Sequence, residues 1–582
     1  MDNRLKIRLK TKRNLLAVAL AGVLATGCAT HTGAQNVQST PELAQPVPQY
    51  NYPSLVSNYL NALVAERHGD LTNAANFYMN VLAEDPHNEI MLERAFTLFL
   101  SNGQVQTSID LGERLAQFEN PNPLVMILLT AHKAMNGDIN TAQKYIDIAS
   151  EASPRLLQFQ LIRSYLDLKK GKSVEKVVEE LEEFDTHIAL EAHRLYHIGR
   201  ILEYGGNVDE AIKYYEMANR VDPGSIFTVS RLGKLYEKRD NLDKAHEIYD
   251  MFVDFNPNTV LLEQAKKRIK AGKKPELSPI ALQPSLGEVI FGFSTLMVSQ
   301  QVPMAARQLM HVSLMLNPDF ELAQFYLGVL DEQSGDYGSA IKRYQSVSAD
   351  NQTYLAAKIR LSEIRFAEGD EQQAQVILED ILQNYPDLTL VHQTLAEMYF
   401  RNEQFTKAVS HYNKIIDAIG EDQQLQHANL YFARGASYER MQNLEQAAQD
   451  LKRSLELNPN NATVLNYLGY MWVDNGQNLE EALAYITKAL MMRPNDGAII
   501  DSLGWAYFKM GDYEKAVKYL ERAAEMLPND PVINMHLGDA YEKVGRAKQA
   551  RVQWQRALDL GPTSQADAQA LQEKLSRFAT SS

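Results

Sequence analysis

Residues 497–530, GAIIDSLGWAYFKMGDYEKAVKYLERAAEMLPND, decide the fold. Leu503, Gly504 and Tyr507, then Ala516, Leu520 and Ala523, recur at steps of three and four, the spacing of one helix face. Gly511-Asp512 breaks the pattern between the two runs and Pro528 stops the second, so the stretch reads as two helices joined by a tight turn. The neighbouring sequence repeats it. Gly435, Gly469, Gly504 and Gly538 stand at one equivalent position, Ala447, Ala482, Ala516 and Ala550 at a second, and Pro459, Pro494, Pro528 and Pro562 at a third. A larger side chain at Gly504 or Ala516 would push two crossing helices beyond their usual ~8–10 Å separation.

The glycines step by 34, 35 and 34 residues. That period, with two small-residue offsets and a closing proline, resembles the tetratricopeptide repeat and predicts an all-α, superhelical tetratricopeptide-repeat solenoid. Copies continue backward at 192–225, 226–259, 321–351, 355–388 and 389–422, and more faintly at 55–88, 123–154 and 287–319. The stretches 89–122 and 157–190 keep helical patterning without the diagnostic small residues. Roughly twelve to fourteen helix-turn-helix units are expected, in two segments, 52–270 and 287–563. The stretch 271–286, with Pro275, Pro279 and Pro284, is expected to be either a joint between the segments or a long loop in one array. Residues 564–582 are expected to form a polar-faced capping helix and tail.

The N-terminus carries a different message. Arg4, Lys6, Arg8, Lys10, Lys12 and Arg13 precede the apolar run Leu15 to Leu24, which is too short to span a bilayer, where ~20 residues are needed. Ala25-Thr26-Gly27-Cys28 follows and resembles the lipobox of bacterial lipoproteins, with Ala25 where that family more often has Leu. Cys28 is the only cysteine in the chain, so no disulfide forms within it. The reading is a signal peptide over 1–27, lipidation at Cys28 and a flexible tether over 28–51, rich in Thr, Gln, Ala and Pro. Ala29 stands where an inner-membrane retention signal would place Asp. This implies an outer-membrane anchor facing the periplasm.

The formal charge of -15 includes that basic leader; setting aside its net +5 leaves about -20. A body this acidic repels phosphate backbones, so nucleic acid is not an expected partner. No nucleophile elbow, His-Glu-x-x-His, phosphate-binding glycine loop or paired metal-ligand histidines occur, so no catalytic residue, metal or cofactor is expected, and the chain does not read as an enzyme. The repeat template instead points to the first helix of each unit as a partner-binding groove. In the last three repeats it selects Asn466, Tyr470, Asp474, Asp501, Trp505, Phe508, Lys509, Met535, Asp539 and Glu542. Exposed aromatic rings among charges are typical of interface hot spots; the same Trp505 and Phe508 could equally pack between repeats. Asp501 and Asp539 stand against a carboxylate-clamping groove. Arg200, Lys234 and Lys238 are the expected place for an acidic partner segment.

The runs Leu465-Asn466-Tyr467-Leu468-Gly469-Tyr470, Asp501-Ser502-Leu503-Gly504-Trp505 and His536-Leu537-Gly538-Asp539 resemble the LbcA-type adaptor lipoproteins of proteobacteria. Members of that family bind a periplasmic carboxyl-terminal processing protease and present peptidoglycan hydrolases to it. The resemblance therefore implies a membrane-tethered scaffold with those proteins as partners. A scaffold lipoprotein of an envelope polysaccharide export machine is the alternative.

Overall fold

The computed structural model describes residues 54–579 except 120–121, 153, 258, 421–424 and 563. The signal sequence, Cys28 and the whole tether to residue 51 lie outside these residues. Among the described residues there are 30 α-helices, two short 3-10 turns and no strand. Glu263–Lys270 and Gln565–Ala579 stand singly, and the others follow one another as fourteen helix-turn-helix units. The fold is the expected tetratricopeptide-repeat solenoid.

The hairpin Gly497–Lys509 and Tyr513–Met526 shows how the sequence dictates the unit. Gly511 adopts φ +84°, open to glycine at little cost, and turns the chain. Asp512 then accepts the Lys515 N–H at 3.2 Å, capping the second helix. Where the helices cross, a Cβ on Gly504 would lie 2.7 Å from Leu520 Cγ and 3.2 Å from the Leu520 backbone nitrogen. The same close approach recurs at Gly199 against Tyr215 and Gly469 against Ile486. The small residues are thus contact points between helices, as the period implied.

The chain divides into two compact units, Met1–Ile377 and Leu378–Ser582. The stretch 271–286 therefore lies inside the first. Residues 273–281 are irregular, and the helix Leu282–Ser299 begins within the stretch. Pro284 falls in its first turn, where no backbone donor is needed, so that proline is compatible with helix.

The hairpin Leu282–Ser299 and Pro303–Leu316 departs from a plain array, in which each repeat touches only its neighbours. It packs against the first helices of earlier repeats, Glu89–Ser101, Pro123–Met135 and Leu157–Lys169. Gln308 Nε2 donates to the Thr97 carbonyl at 2.9 Å and Ser101 Oγ at 3.0 Å, across more than two hundred residues of chain. Phe291, Met310 and Val312 are completely buried. The hairpin fills the face that first helices would otherwise offer.

Among the described residues, the second unit ends in the single helix Gln565–Ala579. Leu571 of Gln565–Ala579 is buried with Leu537 and Trp554, and Lys574 Nζ reaches Asp539 at 2.6 Å.

Candidate functional site

In the first unit, Arg200 lies on the helix Glu191–Tyr204, pointing toward the inserted hairpin. It is 7% exposed. Its guanidinium donates to Glu288 Oε1 at 2.7 Å and Ser285 Oγ at 3.1 Å, and Tyr196 OH donates to Glu288 Oε2 at 3.1 Å. The acidic partner expected at Arg200 is therefore Glu288 of the same chain, and an open groove at that position is corrected. Lys234 is half-buried; burial lowers its ammonium, with Arg268 and Arg231 adding to the effect. Lys238 alone of the three is exposed.

The ten residues expected in the second unit come from Ala462–Asp474, Gly497–Lys509 and Pro531–Lys543, the first helices of three consecutive hairpins. Trp505, 8% exposed, is sandwiched between Phe508 at 4.6 Å and His536 at 4.0 Å, both rings nearly parallel to it. Its Nε1 donates to Asp474 Oδ1 at 3.3 Å, and Lys509 Nζ sits 5.2 Å over the ring while donating to the Asp474 carbonyl at 3.0 Å. Trp505 is thus a packed ring between repeats rather than a free hot spot. Asp501 is buried and 3.0 Å from His536 Nδ1. Burial disfavours the charged imidazole, but the Asp501 carboxylate, with Asp539 and Asp474 behind it, outweighs burial and holds the His536 pKa above its ordinary value.

Asp539 accepts Trp554 Nε1 at 2.8 Å as well as Lys574, so the cap engages it. Asn466, Tyr470, Phe508 and Met535 are half-buried, and Lys509 and Glu542 are exposed. Asn466 Oδ1 is buried without a hydrogen-bond partner. The Tyr470 hydroxyl is pushed up by burial and then by Asp474, Asp501 and Asp567. The surface left to a partner is acidic and aromatic, with Lys509 as its exposed cation.

Sequence reading missed a recurring ionic contact in the first unit. Tyr215 OH donates to Glu203 Oε2 at 2.9 Å while Arg231 Nε of the next repeat reaches the same oxygen at 3.0 Å. Tyr78, Glu66 and Arg94 repeat the arrangement, as do Tyr249, Glu237 and Arg268, and Tyr344, Glu332 and Arg360. Its signal lies in the same period: the acid stands four residues after the crossing position and the tyrosine sixteen after it.

The family described as tetratricopeptide repeat matches residues 192–225, and the family described as cilia and flagella-associated protein 70 C-terminal domain matches residues 321–574. The chain is similar to TPR repeat-containing protein PA4667 of Pseudomonas aeruginosa, at 28% identity over 155 residues, which is 26% of this chain. The match spans about a quarter of that relative's length, 25%. Among solved structures, the Cut9–Hcn1 hetero-tetramer of APC/C is similar over 90% of this chain and 97% of its own, at 15% identity and TM-score 0.35. A MamA crystal structure is similar over 30% of this chain and 91% of its own, at 20% identity and TM-score 0.26. The chain carries tetratricopeptide repeats, and its described helices form a solenoid of that fold.

Proposed function

We propose that this chain is a lipid-anchored adaptor of the outer membrane, facing the periplasm, that brings a carboxyl-terminal processing protease together with peptidoglycan hydrolases. What supports the reading is one combination: an export leader ending in a lipobox-like cysteine, Ala25-Thr26-Gly27-Cys28, placed ahead of a repeat solenoid. A solenoid presents long surfaces and a lipid fixes them at the membrane, so two partners held on it meet at high effective concentration. The first unit buries much of its inner face in its own hairpin. This leaves the second unit, around Tyr470, Lys509 and Glu542, as the more open surface.

Two measurements test this. Labelled palmitate should mark the wild-type protein and not Cys28→Ser; equal labelling or none overturns the anchor. Residues 29–582 mixed with a purified processing protease should co-elute with it and accelerate cleavage of a peptidoglycan hydrolase. Failure to bind the protease, with retention of polysaccharide export subunits instead, would replace the adaptor with the alternative scaffold.

A further inference from the structure

A cleft of about 160 Å³ in the first unit opens where the inserted hairpin meets the helix Glu191–Tyr204 and the start of Ile226–Lys238. Its walls are mostly apolar and aromatic: Phe227, Phe293 and Tyr326 line it with Tyr196. Its polar groups are Glu288, Asp222 and His193, with a few hydroxyls. Glu288 is already matched by Arg200 and Tyr196. Asp222 is not matched: it accepts the Gly224 N–H at 3.0 Å, and among the described residues no cation pairs with it. Burial raises the Asp222 carboxyl and the Gly224 N–H opposes the rise; no basic side chain contributes. His193 stays neutral near pH 7, its pKa lowered by burial to about 4, and its Nε2 has no hydrogen-bond partner.

A half-buried carboxylate without a counter-charge, facing aromatic walls, disfavours an anion and gives a neutral group no use for the charge. Aromatic faces attract cations, and Asp222 and neutral His193 both offer lone pairs to an N–H donor. The volume matches that of apolar cavities of about 150 Å³ that accept benzene, so one short side chain fits. We propose that this cleft binds a primary ammonium carried on a short apolar stem, supplied by a lysine side chain or by the amino terminus of a peptide. The site does not depend on the adaptor reading, and its failure would leave that reading untouched.

The test is calorimetric titration of the protein with n-butylammonium, butyrate and n-butanol. Saturable binding of n-butylammonium is expected, with the other two at least tenfold weaker. Asp222→Asn, which keeps the bond from the Gly224 N–H, should weaken n-butylammonium at least tenfold with unchanged thermal midpoint. Ala192→Phe, which fills the cleft from the wall, should abolish binding without touching a charge. Equal binding of butyrate or butanol, unchanged affinity in Asp222→Asn, or no saturable binding of n-butylammonium overturns the proposal. Nα-acetyl-lysine methylamide binding more tightly than leucinamide assigns the ammonium to a lysine, and the reverse order to an amino terminus; either order supports the shared chemistry.

Discussion

At Gly504 there is no space for a methyl group, because Leu520 side chain and backbone both stand against the missing Cβ. Gly504→Val should therefore lower stability by about 1–3 kcal/mol, and Leu520→Ala in the same chain should recover part of the loss; chemical denaturation of the pair measures both. His536 responds to pH instead. Its folded pKa is raised above the unfolded value, so the ion pair with Asp501 contributes fully below about pH 6.5 and fades as pH rises through the folded pKa. The thermal midpoint of the second unit should fall on the alkaline side of that window, and His536→Gln should flatten the fall. The crossing glycines were readable because only the smallest residue fits such a contact. The Asp501–His536 pair was not: the two residues belong to different repeats, and in sequence each looks like an isolated polar side chain on a helix.

Single elements are joined by charge as well as by apolar packing. Glu203 takes hydrogen bonds from Tyr215 of its own hairpin and Arg231 of the next, with both charged side chains largely buried. Removing one member strands the others, which typically costs about 3–5 kcal/mol for a buried pair. Glu203→Ala is expected to lie in that range, whereas Glu210→Ala, a partly exposed acid paired with Lys213, should cost less than about 1 kcal/mol. Urea midpoints of the two variants decide it. The inserted hairpin was legible only as a faint copy of the repeat. Leu282–Ser299 carries apolar residues around most of its circumference, which marks burial on several sides, but periodicity does not name the distant helices that cover it.

For the whole molecule, acid should act unevenly. His193, His197 and His311 in the first unit all have pKa values pushed down, chiefly by burial, to about 4 for His193 and about 3 for His311. Their neutral forms contribute stability that is present above about pH 6.5 and is lost as pH falls toward those values. In the second unit His411 acts in the same sense and His536 in the opposite one. Limited proteolysis at pH 5 should therefore cut the first unit before the second, while the order at pH 7.5 should be less distinct. Equal protection at pH 5 would refute this. The repeat class and its hairpin units could be read from spacing. The division at 377 could not, because repeats of one kind continue through it and no change in composition marks the place.

The bond from Gln308 to Thr97 also sets a timetable for the nascent chain. A ribosome that has made the second, third and fourth hairpins has not yet made the segment that lines their inner face, so those helices must wait with apolar surface open to water until residue 316 emerges. Truncation just before Leu282 should yield a sticky fragment that clumps or is degraded, whereas stopping after Leu316 should rescue solubility, so this part of the array cannot be shortened one repeat at a time.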